Sequence, residues 1–329
     1  MAKELRIEIE MRVLKKLFRN AARLIPTISR ILDERDSARR ALAILEKRIG
    51  YPVGHYYSPI PDLDEVEKRH NAVFNGAQTD VPGVNLNLPS QENWLRSIEG
   101  FYKDLPYDEE PVAGYRYHYN NEAFVYSDAI FLFGMLRTLR PKRIVEIGSG
   151  YSSAIMLDVN ETFLNGQVAM TFIEPYPDRL NRLLKASDSS SATIIEKRLQ
   201  DVEIAPWNQL KENDILFIDS SHVSKCGSDV NQLFFEILPS LSPGVVVHVH
   251  DVFPHFEYPL SWLKRGWYWN EDYLLRSFLM FNDAFEILIW PSLLLGLDAE
   301  RTANLMPLCL KNTGSSFYMR RRLTDATQV

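Results

Sequence analysis

Three short segments concentrate the side chains that could do chemistry. The first is Asp214-Ile215-Leu216-Phe217-Ile218-Asp219-Ser220-Ser221-His222, an apolar run ending in an acid, two hydroxyls and an imidazole. The second is Val247-His248-Val249-His250-Asp251-Val252-Phe253-Pro254-His255, where another acid follows a similar run. If the two runs are adjacent strands, Asp219, His222 and Asp251 meet at neighbouring tips with His250 beside them. Two carboxylates there make a site for a hard divalent cation such as Mg²⁺, which prefers oxygen ligands. Imidazole is a poorer ligand for it, so the expected metal set is Asp219 and Asp251, joined by His250. The imidazole of His222 titrates near neutrality and suits proton transfer, the competing reading being a helix-capping or core histidine.

The third segment is Val145-Glu146-Ile147-Gly148-Ser149-Gly150-Tyr151-Ser152-Ser153. Gly148 and Gly150 let the backbone turn sharply and approach a ligand closely. Ser152 or Ser153 is placed to cap a following helix. A dinucleotide fingerprint asks for a third glycine at position 153, where this chain has serine, which weakens an NAD reading. The next apolar run, Met170-Thr171-Phe172-Ile173-Glu174, ends in an acid 24 residues after Gly150. A carboxylate there accepts both hydroxyls of a ribose, each charge-assisted bond contributing on the order of 1.5–3 kcal/mol. Together the two features favour an adenosyl ligand.

Glu146 ahead of the glycines makes this segment resemble the E/D-x-G-x-G motif of class I S-adenosylmethionine-dependent methyltransferases. The resemblance implies that the loop of Glu146, Gly148, Ser149 and Gly150 lies against the amino-acid part of the donor and that Glu174 holds its ribose. It implies that Gln200 or Asp201, in Leu199-Gln200-Asp201-Val202, meets the adenine amino group, a helix N-cap by Asp201 being the rival reading. Asp219 would then lie beside the methyl group. Asp219, His222 and Asp251 also resemble the D-G-S-H stretch and later E-D pair of the sugar and natural-product O-methyltransferase branch, the cephalosporin hydroxylase-like group. In that branch the acids hold magnesium and the histidine is the base; His250 stands where its metal-using members have glutamate. The implied activity is methyl transfer to a hydroxyl of a glycan, glycolipid or glycosylated metabolite, with His222, Asp219 and Asp251 as candidate catalytic residues. An NAD-linked oxidoreductase and a non-catalytic binding or assembly module on the same fold are the alternatives.

The elements that must position these residues follow from the hydrophobic pattern. Strand-like runs read as Arg143–Ile147, Ala169–Glu174, Ala192–Glu196, Ile215–Asp219, Gly244–His250, Phe285–Trp290 and Ser316–Arg320, with helical stretches between the first five. This is an α/β, doubly wound, mostly parallel seven-stranded sheet, with ligands expected beyond the strand ends at the switch point. The family resemblance adds the order 3-2-1-4-5-7-6 with strand 7 antiparallel. The domain is expected over 115–322, followed by a tail at 323–329. Tyr151, Tyr126-Ser127-Asp128 and the run Trp262, Trp267, Tyr268, Trp269 and Tyr273 flank the site in this topology, as platforms for a ring-shaped acceptor or as ordinary packing.

Residues 51–114, rich in Pro, Gly, Tyr and Asn, read as an irregular collar or lid with one helix near 91–103. In residues 1–50, Leu14, Leu17, Ala21, Leu24, Ile28 and Ile31 follow a heptad seam that resumes through Ala38, Leu42, Leu45 and Ile49. Pro26 should kink or divide that helix. The segment suits self-association into a homo-oligomer, rest on an anionic membrane through Lys15, Lys16, Arg19 and Arg23, or simple packing on its own domain.

Residues 1–50 carry 13 Lys/Arg against 7 Asp/Glu, although the chain as a whole is at −6. The remaining body is therefore strongly acidic, which argues against a nucleic-acid substrate. Two cysteines, Cys226 and Cys309, give neither a disulfide framework nor a zinc cluster. The lack of a 20-residue apolar span or a signal peptide predicts a cytoplasmic location, and the family resemblance adds a small-molecule or glycan substrate.

Overall fold

The computed structural model describes residues 11, 25–48, 50–74 and 79–323, with the side chains of 45–48 outside that set. Leu14, Leu17, Ala21, Leu24 and Ile49 of the heptad seam, the basic residues Lys15, Lys16, Arg19 and Arg23, and the tail at 324–329 lie outside the described residues. Contacts divide the chain into two compact units, Met1–Val66 and Glu67–Val329. In the first, helix α1 (Pro26–Arg48) opens at the proline, where a missing N–H forfeits no helical hydrogen bond. Ile28, Ile31, Leu42 and Ile44 are exposed along it, and Tyr51, His55, Tyr56 and Tyr57 stack on one another beyond it. Among the described residues, no helix is long and apolar enough to cross a membrane.

The second unit is built on one sheet. Its strands are β1 (Arg143–Ile147), β2 (Ala169–Ile173), β3 (Ala192–Ile195), β4 (Ile215–Ile218), β5 (Val246–Val249), β6 (Phe285–Ile289) and β7 (Phe317–Arg321), in the order 3-2-1-4-5-7-6. Strands β1 to β5 pair in parallel, and β7 runs antiparallel to both β5 and β6. The expected order and all seven strands are present, each expected boundary falling within two residues of the observed one. Strand β1 pairs with β2 on one side and β4 on the other, so the crossover direction reverses there and a crevice opens beyond the strand tips.

Successive residues of a strand point to opposite faces, so the sheet separates two apolar cores. Ile144, Phe172, Ile215, Phe217 and Val246 belong to one, together with helices α3 (Ser127–Leu139) and α4 (Tyr151–Phe163). Val145, Ile147, Leu216, Ile218, Val247 and Val249 belong to the other. Helix α3 is buried from Ser127 through Leu136, as its nearly continuous apolar sequence requires.

The segment expected to be irregular contributes to both cores. Helix α2 (Leu88–Glu99), slightly earlier than expected, buries Gln91, which donates to the Leu86 carbonyl at 2.6 Å and accepts from Trp290 N at 2.8 Å. Arg116, with only 2% of its side chain exposed, pairs with Asp158 on α4 at 2.7 Å and with Asp188 at 2.5 Å, fastening the chain just ahead of α3.

Candidate functional site

The glycine loop between β1 and α4 is clamped from below. Glu146 is fully buried; its two carboxyl oxygens accept from Ser152 Oγ and Ser153 Oγ at 2.5 Å each, and Ser153 Oγ in turn accepts from Gly150 N at 3.0 Å. Burial pushes this carboxyl up to about 8. Glu146 thus fixes the bend through the first turn of the helix, with both oxygens engaged by the protein. Gly148 has φ +79°, and a Cβ on it would overlap the Asp219 carbonyl oxygen. A glycine is needed here both for the left-handed conformation and for the close approach of the two strand ends.

Glu174, just past β2, accepts from Ser149 N at 3.1 Å with one oxygen and from Tyr176 N at 2.8 Å with the other. Each oxygen keeps a free lone pair for a diol. Between these groups lies a cleft of about 420 Å³ at the strand tips, lined by Gly148, Glu174, Tyr176, Arg198, Gln200 and Asp219, among others. Gln200 Nε2 donates to the Gly227 carbonyl at 3.1 Å, whereas Asp201 pairs with Arg198 at 2.8 Å on the exposed surface. Of the two residues expected at the adenine end, the lining includes Gln200. The volume, the acid on the second strand and a glycine bend with no room for a Cβ fit an adenosyl group.

Asp219 closes this cleft and opens the next site. His222 Nε2 lies 3.3 Å from Asp219 Oδ1 and 3.5 Å from Asp251 Oδ2, and its Nδ1 lies 2.9 Å from Glu271 Oε2. Burial alone would lower the pKa of this ring, but the hydrogen bonds to Asp219 and Glu271 raise it well above the usual imidazole value. Burial likewise works against the Asp219 carboxylate, yet His250 and His222 hold it down at about 2. His222 and Asp251 both adopt left-handed backbone angles, φ 57° and 59°, so the chain bends sharply at each to present its side chain. Asp251 Oδ1 accepts from Ser315 Oγ at 2.8 Å, and the backbone N–H groups of Ser315 and Ser316 donate to the buried Asp128 at 2.9 Å. This chain of bonds ties the loop before β7 to the tip of β5.

Ligand atoms of Asp219, His222 and Asp251 all lie within 4.8 Å of one another, an arrangement able to hold one cation. The two carboxylates supply the oxygens Mg²⁺ prefers, whereas His222 Nε2 could join them only by giving up the lone pair that would otherwise accept a proton. His250 lies outside this group; its Nε2 is 3.6 Å from Asp251 Oδ1, and its ring stacks with that of His248. His248, fully buried and held neutral by burial, stacks on Phe217 at 3.8 Å, the residue opposite it in the β4–β5 register. Of the aromatic run, Trp269 packs 4.5 Å from the His222 ring; Trp267 stacks on Trp269 at 5.3 Å, with Trp262 edge-on to both. Tyr126 stacks instead on Tyr119, and Tyr151 meets His118 edge-on.

Sequence reasoning missed Glu271, Asp272 and Ser315. Glu271 and Asp272 open helix α5 (Glu271–Leu279) and are fully buried beside the site. Acids in a first turn ordinarily signal only dipole complementarity, so nothing local marks these two as contacts of a residue 49 positions earlier.

Comparison with known proteins agrees with this geometry. A family model described as a methyltransferase domain matches residues 145–252, the stretch from β1 to just past β5. An uncharacterised protein of Archaeoglobus fulgidus is 39% identical over 178 residues, covering 52% of this chain and 79% of that protein. Among solved structures, the apo form of CmcI-N160 is 18% identical, with 68% of this chain and 84% of that one covered and a TM-score of 0.39. The S-adenosylhomocysteine-bound methyltransferase PaMTH1 of Podospora anserina is 16% identical over 80% and 98% of the two chains, also at 0.39. The cleft would suit the adenosine of either NAD or S-adenosylmethionine, but the strand order with an antiparallel last strand and the domain match over 145–252 are those of a methyltransferase: the chain belongs to the class I S-adenosylmethionine-dependent methyltransferases.

Proposed function

We propose that the chain transfers the methyl group to a hydroxyl oxygen, on a glycan, glycolipid or glycosylated metabolite. The observation that carries this reading is the His222 imidazole set between Asp219 and Asp251, one side chain away from the donor cleft. An alcohol is a poor nucleophile and a poor acid, so attack on carbon benefits from a base that takes its proton as the bond forms. His222 Nε2 is that base in the neutral ring, so transfer should rise with pH as the ring loses its proton above the usual imidazole value, and the two carboxylates stabilise the imidazolium it becomes. The bound sulfonium donor supplies an activated methyl carbon and a neutral thioether leaving group. Gly148, Glu174, Gln200 and Asp219 fix where that carbon lies, and the tryptophan ledge at 262, 267 and 269 supports the ring bearing the hydroxyl. Orientation of this kind carries the larger share of the rate, since effective molarities reach about 10⁵ M and above. Asp219 and Asp251 would hold a divalent cation that orients and acidifies the same hydroxyl.

Incubating the protein with labelled methyl donor and cell extract tests this assignment. Label should appear in material sensitive to glycosidases and resistant to base treatment that cleaves esters. Label confined to protein, nucleic acid or a carboxyl ester would overturn it. Loss of transfer on chelation, restored by Mg²⁺, is expected if the acids act through a cation.

A further inference from the structure

We propose that Glu271 is the positioning residue for His222, fixing the ring so that Nδ1–H points at Glu271 and the Nε2 lone pair faces Asp219 and Asp251. The proposal rests on the reading of His222 as the base. It starts from a disproportion between what holds the loop and what holds the ring. The loop is already secured by main chain: the His222 carbonyl accepts from Asn270 N at 3.0 Å and from Glu271 N at 3.2 Å. The side-chain contact between Nδ1 and Glu271 Oε2 at 2.9 Å is therefore additional to anything needed to seat residue 222 at the start of α5.

That contact is also costly. The Glu271 side chain is only 1% exposed, and its second oxygen, Oε1, is buried with no hydrogen-bond partner among the described residues. An acid that merely complements the helix dipole would lie at the surface, where water solvates both oxygens. A buried carboxylate with one partner, an imidazole, is the arrangement that selects a tautomer. Packing completes the constraint, because Trp269 covers the ring at 4.5 Å and hinders rotation about the bond to Cβ.

The chemical consequence is specific. In the neutral ring the proton sits on Nδ1 and Nε2 is free to accept. When the acceptor hydroxyl attacks, its O–H bond breaks and an Nε2–H bond forms. The oxygen electron pair makes the new O–CH₃ bond, and the C–S electron pair leaves with sulfur. Glu271 keeps accepting from Nδ1–H throughout and stabilises the imidazolium through that bond.

Histidine-selective ¹⁵N labelling of the full chain, with S-adenosylhomocysteine bound, reads the tautomer directly. Seven histidines give a small spectrum, and His222 is assigned by its absence in His222→Gln. Above the pH at which the ring becomes neutral, the wild-type protein should show the Nδ1–H form. Glu271→Gln should lose that preference while binding S-adenosylhomocysteine within about threefold of wild type by calorimetry. An Nε2–H form in the wild type, or an unaltered tautomer in Glu271→Gln, overturns the proposal. If Glu271→Gln no longer binds that ligand, Glu271→Asp, which keeps the charge but withdraws it by one methylene, is read in the same way. Transfer of labelled methyl in extracts should fall about tenfold or more in parallel. A changed tautomer with undiminished transfer would leave Glu271 in its role and remove His222 as the base, so the two failures are distinguishable.

Discussion

The donor side and the acceptor side of the crevice are built by different means. On the donor side, the residues that shape the cleft are close in sequence: Glu146 to Ser153 form one bend, and Glu174 ends the neighbouring strand. The bonds that hold the bend and Glu174 run within that bend or between adjacent strands. On the acceptor side, Asp219, His222, Asp251, Glu271 and Ser315 come from four separate segments, three loops and the start of α5, and meet only after the sheet has formed. The donor side is therefore a property of a local segment, and the acceptor side a property of the whole fold. Acceptor specificity can drift by changing any of several loops without disturbing the donor.

Mutations can break or sharpen this contrast. The largest effect should come from His222→Ala, which leaves the donor cleft intact. Methyl transfer falls by about 10²–10⁴-fold while S-adenosylhomocysteine affinity stays within about threefold. Loss of donor affinity in that variant would show that the two sides are one unit, and undiminished transfer would favour a non-catalytic module. Gly148→Ala comes next, since it forces a Cβ into the Asp219 carbonyl and strains a left-handed residue. It should cost about 1–3 kcal/mol of stability and reduce donor affinity more than about tenfold, seen by thermal unfolding and calorimetry. Because Asp219 serves both sides, this is the donor-side change expected to reach the acceptor side.

Glu174→Gln removes a charge but keeps the shape. It should weaken S-adenosylhomocysteine about 10–100-fold, with the unfolding temperature nearly unchanged. The smallest effect on donor binding is expected at Glu146, which acts on stability instead. Its folded pKa of about 8 lies above its unfolded value, so the folded state keeps the proton longer. The stability it contributes is complete at low pH and is lost as pH rises toward and through about 8. Glu146→Gln should therefore flatten the dependence of unfolding temperature on pH between about 5 and 9, and a profile as steep as wild type would contradict this.

The same contrast explains what was legible in the sequence. The strands stood out because buried parallel strands are short continuous apolar runs, as in Ile215–Ile218 and Val246–Val249. The glycine bend and Glu174 were readable because their meaning depends only on the strand that precedes them. Placing Asp219 and Asp251 side by side needed just one further step, strand adjacency. Glu271 was hidden, since an acid opening a helix has the same local signature whether it faces water or a histidine. The role of Glu146 also looked different from outside: an acid before the glycines reads as a ligand contact, yet its oxygens are taken by Ser152 and Ser153. The helix expected near 91–103 starts at Leu88, because Pro89 serves as an opening residue there.

The bends at His222 and Asp251 carry a further consequence. Both positions demand a conformation that glycine would accept without complaint, and both are given instead to side chains with work to do. His222→Gly and Asp251→Gly would relieve that strain, but they would leave the buried Glu271 without its partner and release Ser315, so the side chains hold the two corners as well as serving the chemistry. Relatives with glycine at both corners are therefore where a lost base and a loosened acceptor loop should be sought together.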